Sequence, residues 1–148
     1  MRLVHNGLLN GGQVLPAGEV LSFGGIPMAD NILWTSPADS LEGWMIPELE
    51  EAYWVGRIWE LELANEARIA KVDSLDDMEA LAKRYPGGRN LDWTALSKDY
   101  DAFWVTADGL ADTCSTSQPL NLSEFVCETV VVFNTSLVKV IGVRDDLP

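Results

Sequence analysis

The segment from Val126 to Asn134 constrains the fold more than any other part of the chain. Its centre is the run Val130-Val131-Val132-Phe133, in which every residue is apolar and β-prone. Successive side chains of a strand point to opposite faces of the sheet, so this run is apolar on both faces. The pattern is typical of a central strand that is covered on both sides.

A second strand is indicated by clean alternation from Arg57 to Leu63. Trp59, Leu61 and Leu63 fall on one side of this segment, and glutamates occupy most of the other side. A period of two is the pattern of a half-buried strand. Weaker apolar runs predict further strands at residues 2–4, 19–23, 32–36, 68–72, 101–106 and 137–143.

Two helices are predicted in the middle of the chain. Ser74 is a suitable N-cap for a helix with Met78 on its apolar face, and the breakers at residues 85–88 end that helix. Asp92 is a suitable cap for a shorter helix that runs to Lys98.

Prolines predict two earlier helices. Pro37 ends the strand at residues 32–36 and suits the first turn of a helix that has Ser36 as its N-cap and contains Trp44. Pro47 interrupts that helix, so a second short helix is expected from Pro47 to about residue 53.

The order of these elements predicts an α+β fold. Helices are concentrated in the middle third and strands at both ends, which differs from the regular alternation of βαβ proteins. Ala107-Asp108-Gly109 predicts a turn, and residues 113–121, rich in Ser, Thr, Gln and Pro, predict a loop. No repeat or linker divides the chain, so residues 1–148 are expected to form a single domain.

The charge balance restricts the partners. With 10 basic and 23 acidic residues, the formal net charge is −13. A chain this acidic is not expected to bind DNA or RNA by neutralising phosphates, and anionic lipid would repel it. A basic protein, or a site meant for nucleic acid, remains a suitable partner.

The remaining sequence features favour a cytoplasmic protein. Cys114 and Cys127 form no Cys-x-x-Cys pair or Cys/His cluster, so a zinc site is not expected. Two free thiols in a reducing compartment are the simpler interpretation, although a bridge between them stays open. The N-terminus lacks the apolar core of a signal peptide, and no apolar run reaches about 18 residues.

His5 and Glu128 are the candidate catalytic residues. His5 is the only histidine, so any Ser-His-Asp catalytic triad or Cys-His catalytic dyad would have to use it. The sequence contains no G-x-S-x-G elbow, P-loop or G-x-G-x-x-G motif. Glu128 lies within an apolar strand, where an unpaired carboxylate is costly, so it faces water, pairs with a cation or lines a cleft. The simpler alternatives are a polar turn residue for His5 and a solvated side chain for Glu128.

Several short motifs resemble the ADP-ribosyltransferases, especially the rifampin-modifying and phage-encoded members. The matching segments are His5-Asn6-Gly7, Pro16-Ala17-Gly18-Glu19-Val20-Leu21, Ile32-Leu33-Trp34-Thr35-Ser36 followed by Trp44, Gly56-Arg57-Ile58-Trp59-Glu60-Leu61-Glu62 and Cys127-Glu128-Thr129. Two positions depart from the family. Asn6 stands where the family has glycine directly after its histidine, and Trp34 stands where many members have tyrosine.

The resemblance implies a compact fold of two small, mostly antiparallel sheets that form a cleft for NAD, which is the substrate. It implies that His5 bonds the ribose on the nicotinamide side and that Glu128 stabilises an oxocarbenium-like cation. No metal is required. The implied NAD-binding residues are His5, Asn6, Gly7, Trp34, Thr35, Ser36 and Trp44. Of the tryptophans, Trp34 is expected to stack near the nicotinamide, although most of the six are core candidates.

Two classes of function follow from these observations. The first is an NAD-dependent mono-ADP-ribosyltransferase, such as a phage effector that modifies a host macromolecule in the host cytoplasm. The second is a non-enzymatic acidic inhibitor that mimics nucleic acid or binds a basic host protein. A transferase fold that is used only for binding is a further possibility. The enzyme and the mimic differ in their response to Glu128→Gln, because a mimic keeps its function and an enzyme loses its activity.

Overall fold

A computed structural model describes residues 1–7, 9–10, 13–14, 32–39, 57–122, 125 and 127–144. The strands are β1 (Arg2–Gly7), β2 (Leu9–Asn10), β3 (Gln13–Val14), β4 (Leu33–Pro37), β5 (Arg57–Leu63), β6 (Ile69–Val72), β7 (Pro86–Gly87), β8 (Asn90–Leu91), β9 (Ala102–Val105), β10 (Thr129–Val132) and β11 (Val138–Arg144). The helices are α1 (Leu75–Arg84), α2 (Trp93–Asp99) and α3 (Ala107–Thr113), and a 3₁₀ turn covers Thr135–Leu137. This combination confirms the α+β class.

Seven of the strands form one sheet in the order β11-β5-β1-β4-β10-β9-β6. All neighbours are antiparallel except β6 and β9, which are parallel. The other strands form two hairpins, β2–β3 and β7–β8. Strand β10 contains Val130 to Val132 of the apolar run and lies inside the sheet between β4 and β9, as predicted, but it is bounded by Thr129 and Val132 and is shorter than the predicted segment 126–134.

Strand β4 divides the sheet because it changes partner along its length. Leu33 to Thr35 pair with β10, whereas only Ser36 and Pro37 pair with β1. We call β11, β5 and β1 the β1 half of the sheet, and β10, β9 and β6 the β10 half. The two halves are joined through β4.

The first hydrophobic core, the helix-side core, lies between the β10 half and the helices. It contains strand residues such as Phe103 and Val131 together with Met78 of α1 and Leu96 of α2. Its aromatic rings pack against one another, and the ring centroids of Trp93 and Phe103 are 5.0 Å apart in an edge-to-face arrangement. Apolar burial of this kind is the main favourable term in folding.

The second core, the strand-side core, takes residues from both halves of the sheet. Its buried members are Leu3, Leu33, Leu61, Leu63, Ala102, Val130 and Val132. Within the described part of the chain, no α-helical residue belongs to it. The two halves therefore share one core on the face of the sheet opposite the helices.

Several sequence predictions are confirmed by the local structure. Strand β5 has the predicted bounds, and β11 is one residue displaced from its prediction. Ser74 caps α1 by accepting a hydrogen bond from the backbone N–H of Asp77, and Asp92 caps α2 by accepting from Ala95.

The turn predicted at Ala107-Asp108-Gly109 was wrong, because these residues begin α3. The hydroxyl of Thr106 accepts a hydrogen bond from the backbone N–H of Gly109, which is an N-cap that the sequence analysis missed. Gly109 also lies against β6, since a Cβ there would be 2.3 Å from the carbonyl oxygen of Val72. The glycine permits the helix to approach the strand.

The helix start predicted at Ser36 and Pro37 was also wrong. Both residues belong to β4, and Pro37 is its last residue, opposite Leu3 of β1. A proline is tolerated at such a position because it needs no ladder hydrogen bond there. Trp44, the strand predicted at residues 19–23 and the helix predicted at 47–53 lie outside the described residues.

Strand β1 is longer than predicted. It was expected to stop at residue 4, with His5-Asn6-Gly7 as a turn, but the whole segment pairs with β5 as far as Gly7 opposite Arg57. The long alternating strand β5 supplies a partner for every residue of β1, so the polar residues continue the strand. His5 therefore lies inside a strand and not at its end.

Candidate functional site

His5 lies where β1 and β4 part. The last backbone pair between these strands is Val4 with Ser36. Beyond that pair, the ring Nδ1 of His5 donates a hydrogen bond to the carbonyl oxygen of Trp34 over 2.8 Å. At the junction of the two halves, a hydrogen bond from a side chain thus links β1 to β4 where the backbone pairing of these strands has ended.

The His5 ring is fully buried, with a relative exposure of 0%. Burial lowers the pKa of His5 below its usual range, and the hydrogen bond to Trp34 opposes that shift only in part. The neutral imidazole is therefore the stable form at neutral pH.

The neutral ring has a defined tautomer. A carbonyl oxygen can only accept, so Nδ1 carries the proton and Nε2 is left as an acceptor. Nε2 is buried and has no hydrogen-bond partner among the described residues. Buried polar atoms are nearly always paired, so an acceptor in this state indicates a place for a donor group.

Glu128 lies immediately before β10, at the edge of the strand-side core. Its backbone oxygen accepts a hydrogen bond of 2.8 Å from the hydroxyl of Ser36. Its side chain is half-buried, and Oε2 accepts a hydrogen bond of 2.8 Å from the indole Nε1 of Trp104. The carboxylate is therefore held by a partner from the neighbouring strand.

His5 and Glu128 belong to the same face of the sheet. His5 is two residues after Leu3 on β1, and Glu128 is two residues before Val130 on the β10 side. Side chains two residues apart share a face. Because β4 alone separates β1 from β10, the two backbones are about two strand spacings, or roughly 10 Å, apart across the sheet.

Thr35 and Ser36 connect β4 to the β10 side of the site. The hydroxyl of Thr35 donates to the carbonyl oxygen of Val130 over 2.8 Å, and the hydroxyl of Ser36 donates to Glu128 as described. Both residues are fully buried. Of the residues named from the sequence, the structure thus places His5, Thr35 and Glu128 on one face, and Ser36 contacts the backbone of Glu128.

Trp34 lies apart from this group. Its ring belongs to the helix-side core, where its centroid is 5.8 Å from that of Phe125, so it packs on the face opposite His5. Its backbone oxygen accepts the hydrogen bond from His5. Asn6 and Gly7 extend β1 opposite Ile58 and Arg57.

Sequence reasoning missed Trp104 and Lys71. Lys71 of β6 pairs with Trp104 of β9, and its Nζ lies 4.3 Å from the centroid of the Trp104 ring. Trp104 in turn lies opposite Val130, beside Glu128. The alternation within each strand was visible in the sequence, but the register that joins the three strands was not.

The described residues contain no group of three or more His, Cys, Asp or Glu that could hold a metal ion. No helix in them is long and apolar enough to cross a membrane.

Comparisons of the chain with protein-family models, with curated proteins and with solved structures gave no match. The case for a function therefore rests on the chain's own residues.

Proposed function

We propose that this protein is an NAD-dependent mono-ADP-ribosyltransferase whose site lies at the junction of the β1 and β10 halves. The observation that carries the proposal is the buried acceptor Nε2 of His5, which has no partner among the described residues and lies on the same face as Glu128. The family resemblance implies two sheets that border an NAD cleft, whereas the seven described strands form one sheet, so β4, where the pairing changes from β10 to β1, marks only the proposed position of the site.

The chemistry of His5 fits a sugar hydroxyl. A neutral imidazole with Nδ1 protonated offers a lone pair at Nε2, and a ribose hydroxyl is a donor that can satisfy it. A substrate that lacks a donor would leave this acceptor buried and unpaired, which costs free energy. The site therefore favours a ribose over a purely apolar ligand.

Glu128 fits the role of electrostatic stabilisation. In the proposed reaction the bond between ribose C1′ and the nicotinamide nitrogen breaks, and its electron pair leaves with nicotinamide. The sugar then carries positive charge, which a fixed carboxylate stabilises. The acceptor nucleophile forms the new bond at C1′ and releases its proton.

The burial of His5 has a consequence for binding. Because the ring is fully buried, a hydroxyl reaches Nε2 only when part of the surrounding structure moves aside. Binding that requires such a movement is slower than simple diffusional encounter. We therefore expect NAD to associate slowly, and stopped-flow measurement of protein fluorescence on mixing with NAD tests this.

The decisive binding experiment uses the fact that His5 is the only histidine. In protein labelled with ¹⁵N at histidine, the ring signals belong to a single residue. We expect saturating NAD to move the Nε2 signal in the direction of an accepted hydrogen bond, while the Nδ1 signal changes little. An unchanged Nε2 signal would remove the support for this site.

Catalysis is tested by transfer of label from tagged NAD into proteins of a bacterial lysate. The wild-type protein is compared with Glu128→Gln and with Glu79→Gln, an equal change of charge at an exposed residue of α1. We expect a labelled band with the wild type and with Glu79→Gln, and a loss of at least two orders of magnitude with Glu128→Gln. Equal labelling by all three would exclude Glu128 from the reaction.

A second candidate function is a non-enzymatic acidic inhibitor, and the net charge of −13 is the observation that favours it. Such a protein would bind a basic partner through exposed charge, so its binding would weaken steeply as salt screens the interaction. It would bind equally well as Glu128→Gln. Salt-sensitive capture of a basic protein by both forms, without label transfer, would support the inhibitor.

A further inference from the structure

Lys71, Trp104 and Glu128 form a row across three neighbouring positions of the β10 half. Lys71 pairs directly with Trp104 in the parallel ladder of β6 and β9. Trp104 pairs with Val130 in the antiparallel ladder of β9 and β10, and Glu128 is two residues before Val130. Strands β6 and β9, and the residue two positions before Val130 of β10, therefore bring a cation, an indole and a carboxylate together.

The two contacts in this row use different parts of the indole. Its N–H edge donates to Oε2 of Glu128 over 2.8 Å, and its face lies 4.3 Å from the ammonium group of Lys71. A hydrogen bond to an ionised acceptor is stronger than one between neutral groups. A cation over the ring is attracted by the ring's quadrupole and withdraws electron density, which makes the N–H a better donor.

We infer that Trp104 is a positioning residue of Glu128 and that Lys71 holds the indole in the orientation this requires. The inference rests on the proposed function, in which Glu128 must lie beside the ribose C1′. A free glutamate side chain has several rotamers. The indole has a single hydrogen-bonding group, the donor Nε1–H, and its direction is fixed by the rigid ring. The hydrogen bond therefore favours the Glu128 rotamers that place Oε2 in front of Nε1.

A purely structural role for Trp104 makes a different prediction. Trp104 packs at the margin of the strand-side core and is half-buried. If packing were its only role, Trp104→Phe would retain most of it, because an aromatic ring remains. The positioning role depends on the N–H, which phenylalanine lacks.

The first test does not depend on activity. The six tryptophans give six indole N–H signals in a ¹⁵N correlation spectrum, and Trp104→Phe identifies the signal of Trp104 by its disappearance. We expect this signal to move strongly in Glu128→Gln, because the charged acceptor is replaced by a neutral one. It should move less in Lys71→Met. A Trp104 signal that is unchanged by Glu128→Gln overturns the inference, whatever the activity.

The second test measures label transfer from NAD at varied NAD concentration. We expect Trp104→Phe to lower kcat by about 10- to 100-fold at nearly constant KM, since misplacement of a catalytic group by about 1 Å has effects of this size. Lys71→Met should lower kcat less, and Lys71→Arg, which keeps a cation over the ring, should restore it. Trp93→Phe is the matched control in the helix-side core, and we expect its kcat to stay within a few-fold of the wild type.

The outcomes separate this inference from the proposed function. If Glu128→Gln is inactive while Trp104→Phe has wild-type kcat, the positioning role is overturned and the transferase stands. If Glu128→Gln keeps wild-type transfer, both are overturned. If Trp104→Phe raises KM alone, Trp104 contributes to binding of NAD and does not position Glu128.

Discussion

The two sides of the sheet differ in how their buried polar groups are paired. On the helix side, the aromatic rings pack against one another, and the buried hydroxyls of Thr106 and Thr113 both donate hydrogen bonds to backbone carbonyl oxygens. On the strand side, His5 and Thr35 are fully buried with Glu128 at the margin, and Nε2 of His5 has no hydrogen-bond partner among the described residues. Burying such groups opposes folding unless they are paired. We therefore expect the helix side to provide most of the stability, and the strand side to carry a free-energy cost that a binding site would explain.

The largest effect is expected from a cavity in the helix-side core. Phe103 is fully buried and packs against Trp93 and Phe125, with ring centroids 5.0 and 5.8 Å away. Phe103→Ala should lower the free energy of unfolding by about 3–5 kcal/mol, which urea denaturation measures. A loss below about 1 kcal/mol would break the comparison, because the helix side would then not provide the main stability.

The next effect concerns Asp101, a buried carboxylate that is fully paired. It accepts hydrogen bonds from the backbone N–H of Arg68 over 2.8 Å and from Nδ2 of Asn134 over 3.3 Å. These contacts, led by the bond from the Arg68 backbone, lower the pKa of Asp101 below its usual range. Asp101→Ala should lower the free energy of unfolding by about 1.5–3 kcal/mol at neutral pH.

The pH dependence of this effect has a definite sign. A carboxyl whose pKa is lower in the folded state contributes its full stability above the pKa of the unfolded chain, about 3.9, and loses it as the pH falls further. The difference in unfolding free energy between the wild type and Asp101→Ala should therefore be constant from pH 7 to 5 and shrink below pH 4. A difference that already shrinks between pH 7 and 5 would contradict this assignment.

The smallest effect concerns His5, the buried group whose Nε2 has no hydrogen-bond partner among the described residues. Its pKa is lowered in the folded state, so the unfolded chain takes up a proton at a higher pH than the folded protein does, from about 6.5 downwards. The contribution of His5 to the free energy of unfolding therefore does not change with pH well above about pH 6.5. Below about pH 6.5 it falls by at most about 1.4 kcal/mol per pH unit.

Since no other histidine is present, the comparison with His5→Gln isolates this slope. Denaturation midpoints between pH 7 and 5 should fall for the wild type and stay nearly constant for the variant. Equal slopes in the two proteins would mean that the ring is as accessible to protons when folded as when unfolded. The contrast between the two cores would then be lost.

Much of the fold could be predicted from local patterns. The alternation in β5, the apolar run in β10 and the caps at Ser74 and Asp92 each report on neighbouring residues only. The start of α3 could not be found in this way, because Gly109 is explained by its approach to Val72 of another element.

The candidate site was predictable only in part. His5 and Glu128 were identified because a lone histidine and a carboxylate in an apolar strand are unusual. The face of Trp34 could not be predicted, since a short strand apolar on both sides does not indicate which side meets the helices. The contact of Trp104 with Glu128 depends on strand register, which is a long-range property.

The pairing of β11 with β5 has a consequence for the synthesis of the chain. Val138 pairs with Leu63, and the three α-helices of the described residues, together with β6, β9 and β10, lie between them in sequence. During translation, β5 therefore keeps one unpaired edge until the whole β10 half has emerged from the ribosome. Exposed strand edges promote association between chains, so nascent copies on one polysome are at risk until β11 arrives.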